Sequence, residues 1–192
     1  MKARTLAACA AFALWAAGAP AQAAEEAWVA EARAISMDVP PKLLAVLQAE
    51  IAKSGPEGAI AVCQVQAPAL ARAASQQTGW NVKRVSLRNR NPKAVPDAWE
   101  RAALEDFDRR AAAQEPAATL ERYEAVREDG KTVYRFMRAL PTGELCLACH
   151  GPVEQLSPAV KAKLAALYPD DRATGYRVGQ IRGAMTLTKP AP

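Results

Sequence analysis

Apolar residues recur at helical spacing through the first half of the chain and alternate with polar ones through much of the second. From Glu25 to Ser36, Trp28, Ala32 and Ile35 fall on one face, which predicts a helix, and Pro40 and Pro41 are expected to break it. A second helix is predicted from Pro41 to Lys53, with Leu43, Leu44, Leu47 and Ile51 as its buried stripe. Ser54-Gly55-Pro56 stops it and starts the next. The third helix, Glu57 to Gln77, carries Ile60, Cys63, Ala67 and Leu70 on its apolar face. Pro68 lies inside it and leaves the Gln64 carbonyl without a partner, so a kink near Cys63 is expected. Gly79 ends the helix.

Trp80 to Leu87 then reads as a strand, with Trp80, Val82 and Arg84 alternating against Val85 and Leu87. Arg88-Asn89-Arg90-Asn91-Pro92 is a polar loop, and Pro96 is a further break. Asp97 is placed to cap a fourth helix, with Glu100 completing a capping box and Trp99, Ala103, Leu104 and Phe107 on the apolar side. Pro116 closes that segment. Two strand-like runs follow, Thr119 to Arg127 and Thr132 to Leu140, split by Glu128-Asp129-Gly130-Lys131, a strong hairpin signal. A short helix, Pro158 to Leu167, precedes a final strand, Tyr176 to Thr188. On that strand Ile181, Met185 and Leu187 are expected to share a face, while Gly179 and Gly183 leave room for a close approach. Helices first, then a hairpin and a lone C-terminal strand, predict an α+β domain with an antiparallel sheet.

Residues 1–24 carry the marks of a cleaved secretory signal: basic Lys2 and Arg4, an apolar run from Leu6 to Ala17, then Ala21 and Ala23 in a small-residue cleavage pattern. Leu6-Ala7-Ala8-Cys9 only superficially resembles a lipoprotein box, because the apolar run follows Cys9. The run is too short to be kept as a spanning helix, so no stable membrane span is expected after cleavage. The remainder, 25–192, is read as a single domain, exported and periplasmic. Losing Lys2 and Arg4 reduces the 25 basic residues to 23 against 20 acidic ones, a net charge of +3. That balance gives no case for nucleic-acid binding and little electrostatic steering.

The chemistry concentrates in Cys146-Leu147-Ala148-Cys149-His150, the pattern of a covalent c-type haem attachment site. Two thiols at this spacing can reach the two vinyl groups of one porphyrin edge, and the adjoining imidazole can reach the iron. A four-ligand zinc site would need a second ligand pair, and His150 is the only histidine in the chain. A thioredoxin-like redox pair would want a βαβ context that the pattern does not offer. Haem c is assembled outside the cytoplasmic membrane, which agrees with an exported chain. With one haem, the sixth iron position falls to Cys63, Met37, Met137, Met185, a lysine, the new N-terminal amine, water, or nothing. Methionine is the usual partner in electron carriers, yet each methionine also reads as core filler, Met137 and Met185 in particular. Cys63 is left unpaired after cleavage, an unusual state in an oxidising compartment, but a free cysteine is also a common core residue. From the residues alone both readings of Cys63 stay open.

The chain resembles a bacterial and cyanobacterial c-type haem family with a PAS-like fold, long catalogued as a domain of unknown function. The resemblance spans most of residues 25–192 and is carried by Ala61-Val62-Cys63 with Ala67-Pro68, Gly79-Trp80 with Val82-Lys83-Arg84, and Ser86-Leu87-Arg88 with Arg90-Asn91-Pro92. Pro96-Asp97 with Trp99-Glu100, Tyr134-Arg135-Phe136-Met137, the Cys146–Gly151 motif, and Gly175-Tyr176 with Gly179, Ile181-Arg182-Gly183 complete it. It implies a PAS-like antiparallel sheet flanked by helices, one covalent haem c, and His/Cys axial ligation by His150 and Cys63. It also implies redox or diatomic-gas sensing. This chain carries no kinase or cyclase domain before Pro192, so an output is expected to pass through a partner protein. The rival is a soluble electron-transfer cytochrome with a methionine ligand, Met185 above the others; an enzyme ranks below both, for want of an acid–base cluster. Arg84, Arg88 and Arg90 are candidates to anchor the haem propionates, against the plainer reading of a solvated loop. Trp80, Trp99, Tyr134 and Phe136 read mainly as core, with some expected against the haem.

Overall fold

The expected break at Pro40 and Pro41 does not occur. In the computed structural model, which describes residues 26–192, one helical run, α1 (Ala27–Thr78), passes through both prolines. The proposed signal segment, 1–24, lies outside the described residues. Each proline removes one backbone hydrogen bond, but its fixed φ suits a helix, and burial of Val29, Ala32, Ser36, Val39 and Leu43 holds the segment together. Pro68 likewise leaves the helix unbroken, with helical dihedrals on both sides of it. The interruption falls at Gly55 (φ 72°, ψ 174°), in a region open essentially to glycine. The two halves, 27–54 and 56–78, fold back on each other, since Val29 and Ala32 near the start share a core cluster with Ala74 near the end. Gly79 (φ 73°) ends the run with a left-handed cap whose N–H donates to the Ser75 carbonyl.

The remaining elements are β1 (Asn81–Val85), α2 (Ala98–Ala112), β2 (Glu121–Glu128), β3 (Lys131–Pro141), α3 (Leu147–His150), α4 (Pro158–Leu167) and β4 (Ile181–Pro190). The strands form one antiparallel sheet in the order β1-β4-β3-β2. Asp129 (φ 48°) and Gly130 (φ 78°) are both left-handed, the geometry of a two-residue turn matched to the twist of β2 and β3. The fold class is therefore α+β, with α1 on one face of the sheet and α2 on the other. Toward α1 point Val82, Phe136, Met185 and Leu187, packed with Val29, Ala32 and Trp80. Toward α2 point Val85, Met137, Ala139 and Ala184, packed with Ala103, Leu104 and Phe107. No helix among the described residues is long and apolar enough to cross a membrane.

α2 begins as expected. The Asp97 carboxylate accepts from the Glu100 N–H (2.9 Å) and the Glu100 carboxylate accepts from the Asp97 N–H (3.0 Å). Glu100 is wholly buried and also accepts from Thr186 Oγ1 (2.9 Å), with Lys83 Nζ 3.1 Å away.

β4 departs from its simple alternation. Leu140 pairs with Gly183 and Pro141 with Ile181, which leaves Arg182 as the extra residue of a bulge. One inserted residue reverses the side-chain parity. Ile181 accordingly packs on the α2 side and not with Met185 and Leu187, while Arg182 reaches the α1 side. β4 also starts five residues later than the alternation suggested, because 176–180 is tied to other loops by its backbone. Gly183 does permit a close approach: a Cβ there would lie 2.4 Å from the Val85 carbonyl oxygen. Gly179 has nothing within 4 Å of such a Cβ, and its φ of 84° is the reason for glycine.

Candidate cofactor site

Cys146, Cys149 and His150 lie on a single turn that follows β3, formed by the 3-10 turn Glu144–Cys146 and α3. Residues three apart on a helical turn face one way, so both thiols border the same cavity, and the next residue, His150, borders it as well. Gly151 closes the turn against its own backbone. A Cβ at this position would sit 2.6 Å from the Leu147 carbonyl oxygen, so a side chain here would push the motif open.

The cavity measures about 260 Å³ and lies between the α1 face of the sheet and both halves of α1. Leu43, Leu47 and Ile51 come from the first half, and Ile60, Cys63 and Ala67 from the second. Cys63 thus borders the same space as the motif, from the second half of α1. Met185, fully buried, lines it too. Met37 is half exposed and Met137 packs on the α2 face of the sheet, so neither borders the cavity. None of Trp80, Trp99, Tyr134 or Phe136 lines it, contrary to the expectation for some of them, and the aromatic side chain present is Tyr168. Trp80, Tyr134 and Phe136 instead build the core around Trp28, whose ring stacks on Tyr134 at 4.6 Å.

Backbone contacts fix the imidazole. His150 Nδ1 lies 2.6 Å from the Ala173 carbonyl oxygen, and donation of its proton there leaves Nε2 as the free, ligating nitrogen. The peptide around it is clamped as well. The Tyr176 N–H donates to the His150 carbonyl (2.9 Å) and the Gly175 N–H to the Gly151 carbonyl (2.8 Å). Arg90 donates to the Cys149 carbonyl (2.6 Å) and pairs with Asp171 (3.0 Å). Burial, aided by the charge of Arg90, pulls the His150 pKa down to about 3, which keeps the ring neutral and able to ligate. Burial also raises the Cys149 thiol to about 11 and the Cys63 thiol above its ordinary value, while Arg84 and Arg90 act in the opposite direction on Cys63.

The three arginines have separate fates. Arg90 is committed to the motif backbone and Asp171. Arg88 stacks over Tyr176, 3.7 Å from the ring centroid, and faces a different groove. Arg84 lines the cavity from β1, and burial lowers its pKa. Among the described residues its guanidinium has no hydrogen bond or ion pair, and the cavity lining contains no carboxylate. Arg182, delivered by the bulge, also borders the cavity and could not be anticipated from a regular alternation. An apolar slot with two thiols and an oriented imidazole in its wall, and two arginines, Arg84 and Arg182, without carboxylate partners among the described residues, fits an apolar, iron-bearing macrocycle with acidic side arms. Among the described residues no three His, Cys, Asp or Glu side chains gather closely enough to hold a metal ion by themselves.

The same architecture occurs in a solved structure, that of the cyanobacterial heme-protein Tll0287. The two superpose with a TM-score of 0.63 at 25% sequence identity, over 86% of this chain and 96% of that one. No curated protein matches the sequence. The Tll0287-like family model matches residues 17–190, a span that includes Cys63 and the Cys146–His150 motif, and the chain belongs to the Tll0287-like family.

Proposed function

We propose that this chain is an exported, periplasmic monohaem c-type cytochrome with a PAS-like fold, and that it acts as a redox or diatomic-gas sensor. In this reading Cys146 and Cys149 hold the haem covalently, His150 Nε2 ligates the iron on one side and Cys63 on the other. The observation that carries it is the convergence of Cys63, Cys146, Cys149 and His150 on one apolar cavity. The family relationship to a heme-protein supports the cofactor. When bound, haem would supply a redox-active iron.

The chain's own residues do the rest. Ala173 orients His150, and Arg84 is free to pair with an acidic arm of the cofactor. Both halves of α1 line the slot with apolar side chains. Cys63 sits on the second half of α1, so making or losing its bond changes what holds that half in place, a two-state element of the kind a switch requires. A partner protein would read the change. Catalysis is not part of the proposal.

A second reading is an electron-transfer cytochrome with Met185 as the sixth ligand, favoured by the position of that fully buried thioether in the same cavity. Near-infrared magnetic circular dichroism and electron paramagnetic resonance of the oxidised, haem-loaded protein separate the two, because thiolate and thioether ligands give different charge-transfer bands. A thiolate signature that disappears in Cys63→Ala supports the sensor. A thioether signature that survives in Cys63→Ala and disappears in Met185→Ala makes the protein an electron carrier.

A further inference from the structure

A second groove, of about 820 Å³, lies on the other side of the sheet, between α2 and the segment 175–181. Leu87, Leu104, Ala111 and Ile181 give it apolar walls. Three charged side chains also border it: Arg88 from the loop after β1, Asp108 from α2, and Glu115, which is already paired with Arg110. Arg88 and Asp108 feel one another's field but do not close into an ion pair. Among the described residues neither the Arg88 guanidinium nor the Asp108 carboxylate has a hydrogen-bond partner. The Arg88 guanidinium instead lies over the Tyr176 ring, its central carbon 3.7 Å from the ring centroid, which holds it at the groove without using its hydrogen-bond donors. Burial raises the pKa of Asp108 despite Arg88, as expected of a carboxylate short of a cation.

We propose that this groove binds a small zwitterion of the α-amino-acid class with an apolar side chain. The ligand carboxylate pairs with the edge of Arg88, its ammonium with Asp108, and its side chain with the Leu104 and Ile181 wall. The partly buried Arg88 then meets a carboxylate and Asp108, exposed on α2, meets an ammonium, which neither a simple carboxylate nor a simple amine accomplishes. The groove is also linked to the motif. Its wall contains Tyr176, whose N–H donates to the His150 carbonyl and whose ring stands edge-on to the imidazole at 6.4 Å. Ala173, the acceptor for His150 Nδ1, lies three residues before Tyr176. Occupancy of the groove is therefore felt at His150. The binding site stands independently of the haem reading, and only this link rests on it.

The test is calorimetry of the haem-loaded protein with L-leucine as probe, after haem content has been measured as the pyridine haemochrome. Saturable binding at one site is expected, weakened about tenfold or more in Arg88→Gln and in Asp108→Asn, the size of one charge-assisted hydrogen bond. The deaminated analogue 4-methylpentanoate is expected to bind about tenfold more weakly to the parent protein and to be indifferent to Asp108→Asn. Asp108→Asn keeps the test valid should Arg88→Gln fail to fold. Absence of saturable heat up to about 10 mM leucine, or an affinity unchanged in Asp108→Asn, overturns the site. An electron paramagnetic resonance spectrum unchanged at leucine saturation overturns the link to His150. Leucine binding by a protein without haemochrome absorbance supports the site and removes the haem reading instead.

Discussion

Single residues here are held by backbone partners more than by other side chains. His150 is oriented by one carbonyl oxygen, and Gly151 and Gly183 exist because a neighbouring carbonyl leaves no room for a Cβ. The clearest residue-scale exception is Asp97, whose carboxylate caps α2 and pairs with Arg135. Burial tends to raise its pKa, but the Glu100 N–H and Arg135 outweigh this and hold it below the ordinary carboxylate value of 3.8. A group depressed in the folded state stabilises above its unfolded pKa and loses that contribution as pH falls through the folded one. Asp97→Ala is expected to destabilise the protein by about 1 kcal/mol near neutral pH, the usual worth of an N-cap. Urea denaturation should show the gap between parent and Asp97→Asn narrowing as pH drops below 3.8, and a gap that widens there would contradict the assignment.

At the scale of elements, the decisive feature is α1 doubled over at Gly55. Both halves line the cavity, so the break is what brings Leu43 and Cys63 to one space. No other residue type accepts φ 72° with ψ 174° cheaply, and Gly55→Ala is expected to cost about 1–3 kcal/mol. Chemical denaturation measures that loss, and haem content should fall with it. Equal stability and full haem content in Gly55→Ala would mean that the bend is set by the surrounding core. The proline steps teach the converse. Pro40, Pro41 and Pro68 remove hydrogen bonds but keep a helical φ, and the apolar stripe on either side continues across them.

At the scale of the whole molecule, the sheet separates two sites. The α1 face carries the thiols and the imidazole, the α2 face carries Arg88 and Asp108, and the segment 173–180 touches both. Because α1 packs on the sheet around a cavity, filling that cavity is expected to stabilise the second half of α1 before anything else. Hydrogen exchange should therefore be slower at 56–78 in the haem-loaded protein than in the Cys146→Ser/Cys149→Ser variant, with β2 and the β2–β3 turn little changed. Uniform protection across the sheet would show instead that the cofactor supports the fold as a unit.

What the sequence determined by itself is what local chemistry encodes. The Cys146–His150 motif, the capping box at Asp97, the Asp129-Gly130 hairpin and the bounds of α4 at Pro158 and Leu167 need only neighbours in the chain. The side to which Arg84 points was legible as well, from alternation with Val82. Tertiary structure decided where competing local signals meet. It carried the helix through Pro40 and Pro41 because burial of Val39 and its neighbours outweighs two lost hydrogen bonds. A bulge turned Ile181 to one face and Arg182 to the other, since a single unpaired residue reverses a period of two. It also sorted Arg84, Arg88 and Arg90 into three different roles, and brought Cys63 and His150 to one cavity. Those last placements depend on contacts between residues tens of positions apart, and no local pattern can encode them.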